Sequence, residues 1–140
     1  GKNTAFSPNI TIFVAKYNHF CFMNEEEKGI VKEIVQLYKE LCRLTNEGNH
    51  GAHRMLPPNI HHYIRSIDEI YHKTVELHDK FHPDYLLIND VFYLDEIRSD
   101  YELRIAKYSK SFSQIELMEF LQYYTNQVEM ALSNLLKINK

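Results

Sequence analysis

The sequence predicts an all-α fold: an antiparallel bundle of about five helices with one long histidine-containing loop. Three observations carry this expectation. Apolar residues recur at steps of three and four along most of the chain, and only four glycines and four prolines interrupt 140 residues. The strongest breakers also fall between the apolar stripes rather than inside them. A chain of this length is the size of one domain, 1–140, and can hide roughly two-thirds of the surface its unfolded form exposes.

The elements follow in order. Ser7-Pro8 offers a cap and a first-turn proline, and Ile10, Phe13, Val14, Tyr17 and Cys21 continue at helical spacing, so a first helix is expected over about 8–22. Asn24 followed by Glu25, Glu26 and Glu27 places an N-cap before three acids that complement the helix dipole. The second helix starts there, with Ile30, Val31, Ile34, Leu37, Tyr38, Leu41 and Leu44 on one face. Thr45 to Gly51 breaks the pattern, and Pro57-Pro58 delays its return, which predicts a loop over roughly 46–58.

A third helix is expected from about Asn59 to His82. Ile60, Tyr63, Ile64, Ile67, Ile70, Tyr71, Thr74, Leu77 and Phe81 fall on one side of it, and His61, Arg65, Asp68, His72, Glu76 and Asp79 on the other. His78 projects from the apolar side. Pro83 can open a fourth helix whose stripe is Leu87, Val91, Leu94, Tyr101, Ile105 and Tyr108, with Arg98 in its one gap and a bend allowed near Ser99-Asp100. Ser113 and Glu116 form a capping box, with Phe112 and Leu117 placed for a hydrophobic staple. The fifth helix then carries a heptad seam of Leu117, Leu121, Tyr124, Val128, Ala131, Leu135 and Ile138, suited to a bundle interior or to a homodimer across 117–138.

Composition excludes some function classes. With 44% apolar and 25% charged residues the chain is an ordinary folding sequence, not a disordered one. A formal charge of −3 and the lack of any Lys/Arg cluster argue against nucleic acid as a partner. No apolar run is long enough to span a bilayer, and nothing resembles a signal peptide. Cys21 and Cys42 have no metal-site spacing, and two residues so placed on a helical hairpin stand too far apart for a disulfide. A reducing, intracellular and cytoplasmic setting is the expectation.

Seven of the eight histidines lie between His50 and His82, and the candidate chemistry gathers there. His50, His53 and Arg54 sit on the predicted loop. Asp68, His72 and Glu76 stand one turn apart on the wet face of the third helix, a spacing that lets imidazole and carboxylate share a divalent metal ion. His78-Asp79 resembles the centre of HD-type metal phosphohydrolases. Arg65 and His72, and likewise Arg54 and His61, are separated by six residues and resemble the Arg-x4-6-His signature of HEPN-type ribonucleases. That likeness implies an all-helical enzyme, with Arg65 holding a phosphate and His72 as acid or base. Several clustered histidines could also act together as a pH sensor.

Against these stands the absence of a convergent catalytic set, phosphate loop or nucleophile elbow. The leading expectation is therefore a non-enzymatic helical interaction or regulatory domain without cofactor. Its partner would be a protein, and a basic one, because Asp95, Glu96, Asp100 and Glu102 cluster on the fourth helix. Those four acids, with His50, His53 and Arg54, are the expected interaction residues.

Overall fold

The structure, a computed structural model, describes residues 23–49, 57–108 and 113–138. They fold into five helices: α1 (Glu25–Asn49), α2 (Pro57–Phe81), α3 (Ile88–Tyr108), α4 (Gln114–Ala131) and the short α5 (Ser133–Ile138). No strand occurs among the described residues, so the all-α expectation holds. The predicted helix over 8–22 lies outside them. No described helix is long and apolar enough to cross a membrane.

Packing runs α1 on α2, α2 on α3, α3 on α4 and α4 back on α1, which closes a four-helix ring. Side-chain partners show that neighbours run antiparallel. Glu26, Glu33 and Glu40 of α1, seven residues apart, meet Lys80 at 2.7 Å, Lys73 at 2.9 Å and His62 at 3.3 Å as α2 descends. These pairs are largely solvated, so they pin register more than they stabilise. Arg43 and His62 hold the Glu40 carboxyl below its usual pKa, while Glu33 raises Lys73 and Glu26 raises Lys80.

The core is the set of predicted stripes closed upon one another. Ile34, Leu41, Ile70, Leu77, Leu86, Leu94, Leu121 and Leu132 are wholly enclosed. The seam of the last helix is used inside the molecule, since Leu117, Leu121, Tyr124, Val128, Ala131 and Leu135 are all buried. A second copy would have to meet the chain on another face.

One polar network crosses this core. Tyr63 Oη donates to the Leu121 carbonyl at 3.1 Å and lies 2.7 Å from Thr125 Oγ1, which lies 2.9 Å from Thr45 Oγ1. Thr45 in turn donates to the Leu41 carbonyl at 2.8 Å. Buried hydroxyls are costly without partners, so this chain of bonds ties α1, α2 and α4 together at one height. Beside it Tyr63, Tyr101, Phe120 and Tyr124 stack with centroids 4.7–5.4 Å apart. The Tyr101 hydroxyl is the exception, buried with no hydrogen-bond partner.

Several boundaries differ from expectation, each for a local reason. The Asn24 cap forms, with Glu27 N donating to Oδ1 at 2.8 Å, and so does the Ser113 cap, with Glu116 N at 3.2 Å. But α1 runs on to Asn49 and α2 starts at Pro57, because prolines are accepted in a first turn that lacks donors' partners anyway. Residues 46–49 and 57–58 of the expected loop are therefore helical, and residues 50–56 lie outside the described residues. Between α2 and α3 the chain does the opposite. Pro83 does not begin a helix: residues 83–87 form a turn that buries Tyr85 and Leu86, and α3 starts at Ile88 with Asp90 Oδ2 accepting from Leu87 N at 2.9 Å. Leu87, placed in the core by spacing, is exposed, and Ile97 is buried instead. α3 runs without a break through Ser99-Asp100. The predicted last helix is interrupted at Leu132, before the weak helix formers Ser133 and Asn134, and resumes as α5.

Candidate functional site

The four expected acids of α3 do not form one exposed face. Asp95 receives Arg98 Nη2 at 2.6 Å, and Asp100 accepts from the Tyr124 hydroxyl and pairs with Arg104 at 3.4 Å. Glu96 and Glu102 are exposed, whereas Asp95 and Asp100 are half-exposed and paired. His50, His53 and Arg54 lie outside the described residues. Sequence spacing places like charges together, but it cannot show which of them a neighbouring helix will occupy.

Arg98, the gap in the stripe, turns out to be a clamp. Its guanidinium lies 4.6 Å over the Tyr71 ring, gives Nη1 to Asp68 at 3.2 Å across the α2–α3 interface, and gives Nη2 to Asp95. The Asp95 carboxylate raises its pKa further. Arg98→Ala is expected to cost about 2 kcal/mol in chemical denaturation, since charged hydrogen bonds and ring packing vanish together. Arg104→Ala, whose ion pair is about half in solvent, should cost under about 0.5 kcal/mol. Equal losses would show that Arg98 does not bridge the helices.

On the wet face of α2, Asp68 and His72 do come together, with Nε2 3.4 Å from Oδ2. Glu76 does not join them: its carboxylate faces Lys80 at 3.3 Å and Lys73 at 3.9 Å, while the other Asp68 oxygen is taken by Arg98. Among the described residues, no group of three or more His, Cys, Asp or Glu is placed to hold a metal ion. Arg65 and His72 share this exposed face two turns apart, about 10 Å along the axis. Cys42 is a half-buried free thiol.

His78 is partly covered, with 17% of its side chain exposed and Nδ1 buried without a hydrogen-bond partner. Asp79 Oδ1 stands 3.7 Å from that nitrogen, and the His82 ring meets the His78 ring edge to face at 5.1 Å.

What spacing did not reveal is a sidedness of the surface. The large hydrophobic residues left exposed among the described residues are Leu87, Ile88, Phe92, Leu103, Ile115, Tyr123 and Met130. All lie on or beside α3 and α4; α1 and α2 contribute none. Leu103 and Ile115 are 72% and 71% exposed, so these are not edges of the core. Shallow grooves of about 490 Å³ along α4, from Ile115 to Asn126, and about 370 Å³ between Arg104 and Tyr123 run through this region. α4 has no Lys, Arg or His, and α3 and α4 together set eight acids against three bases, a formal −5. The signal was present in the sequence, because both helices carry apolar residues around much of their circumference. Which of them face outward is decided only by packing.

Comparison with protein-family models, with curated proteins and with solved structures finds no match to this chain.

Proposed function

We propose that the chain is a non-enzymatic helical interaction domain that docks a protein partner on the outward face of α3 and α4. The observation that supports this reading is the one-sided exposure of Phe92, Leu103, Ile115, Tyr123 and Met130 on a bundle whose opposite half is covered by ion pairs. Scattered exposed apolar residues need no explanation, but their segregation to two adjacent helices is a mark of interaction surfaces. The acidic balance of the same helices favours a partner segment with apolar residues flanked by Lys and Arg. Glu96 and Glu102 on α3 and Glu116 and Glu119 on α4 are the exposed acids that would meet it.

The test begins with a photo-crosslinking residue at Phe92 or Tyr123, which should trap a defined protein that a probe at Glu69 on α2 does not. With that protein purified, Phe92→Glu and Leu103→Glu should each weaken binding by about tenfold or more, and Lys32→Ala should leave it unchanged. Both positions are exposed, so the variants should keep the native helicity. Binding that survives both α3 substitutions, or trapping that is equal at Glu69, sinks the proposal.

A further inference from the structure

We propose that His78 and His82 form a two-imidazole site for a divalent transition ion, Zn²⁺, Ni²⁺ or Cu²⁺, at the C-terminal end of α2. They stand one turn apart, the His82 amide still donates to the His78 carbonyl at 2.9 Å, and the two rings meet beside the helix end. Their rings are 5.1 Å apart at 77°. An imidazole bound through nitrogen at ~2.0–2.1 Å has its centre roughly 3.2 Å from the ion. Two such rings at angles between square and tetrahedral have centres roughly 4.5–5.2 Å apart, and the observed spacing falls in that interval.

The surroundings agree with this assignment. His78 Nδ1 is buried, with Asp79 Oδ1 3.7 Å away, so Nε2 is the candidate ligand atom. Imidazole donors select borderline transition ions over Mg²⁺ or Ca²⁺. Glu76, two residues before His78, is engaged by Lys80 and so leaves the donor set to the two rings.

His82 adds a second observation. Its φ of 42° is left-handed, at a helix-end position that most chains give to glycine or asparagine. A side chain there is held at a conformational cost that an ion bridging it to the preceding turn would offset.

The full chain should be titrated with ZnCl2 and NiCl2 by calorimetry, and its melting temperature followed in parallel. The expected result is one equivalent bound through this pair and a metal-dependent rise in melting temperature. His82→Gly suits the left-handed position, so it should melt no lower than the native chain without metal yet bind at least about tenfold more weakly. His61→Ala and His72→Ala should change nothing. The assignment fails if the native chain shows no binding and no thermal shift. It fails equally if the one-equivalent heat persists in the His78→Gln/His82→Gly double variant, which would place the ion on other histidines.

Discussion

Raising the pH above 10 is expected to unfold the protein cooperatively, with stability exhausted within roughly one to three pH units of that point. Tyr63, Tyr85, Tyr101 and Tyr124 are almost fully enclosed, and burial raises the pKa of each above the ordinary value of 10.0. Glu27 beside Tyr85 and Asp100 beside Tyr124 add to the shift by accepting hydrogen bonds from the neutral phenols. In the unfolded chain these hydroxyls ionise near 10, whereas in the folded chain they keep their protons. The stabilising effect is therefore fully present below 10 and is lost as the pH climbs beyond it. Each tyrosine removes about 1.4 kcal/mol per pH unit, so four together remove about 5–6 kcal/mol per unit. The part of the tyrosinate absorbance that these four of the ten tyrosines contribute should appear in one steep step together with the loss of helicity. Full tyrosinate absorbance of all ten reached with helicity retained would show that these hydroxyls are open to solvent.

The second large effect separates two tyrosines that sequence alone makes equivalent. Tyr63→Ala is expected to cost about 3–5 kcal/mol, because it removes a wholly buried ring from the centre of the bundle and leaves a cavity. Tyr63→Phe keeps the ring and loses only the link to Thr125 and Leu121, for about 1–2 kcal/mol. Tyr101→Phe should move the other way. Its hydroxyl is buried without a partner, so removing it relieves a desolvation penalty and stabilises the fold by about 1 kcal/mol or more. Urea denaturation of the three variants decides the matter. If Tyr101→Phe is as destabilising as Tyr63→Phe, the Tyr101 hydroxyl has a partner in solution.

Much of the architecture was legible in the sequence because it rests on local chemistry. Asn24 and Ser113 cap helices through bonds to amides three residues away, and periodic stripes select a face whatever that face later meets. The stripes of α1, α2 and α4 became the core almost residue for residue. Where local signals were weak or double, expectation and structure part. Pro83 can start a helix or sit in a turn, and the burial of Leu86 and of Tyr85, whose hydroxyl meets Glu27 at the α1 end, selects the turn.

The candidate sites were less legible, for the same physical reason. The spacing of Asp68, His72 and Glu76 is a property of one helix, but Arg98 from α3 and Lys80 from α2 itself compete for those carboxylates. The acids of α3 are adjacent in sequence, yet Tyr124 and Arg98 engage two of them. His78 and Asp79 are neighbours in sequence, whereas the ring that meets His78 belongs to His82, one turn onward.

By itself, then, the sequence determined that the chain is helical, where two of its helices begin, and which stripes close into a core, since propensity, capping and periodicity act over a few residues. The tertiary structure alone decided that Arg98 clamps two helices, that Tyr63 is satisfied while Tyr101 is not, and that the apolar excess of α3 and α4 faces outward. Those outcomes depend on the rotation and register of one helix against another. They are fixed by the packing of all four at once, which no short window of residues encodes.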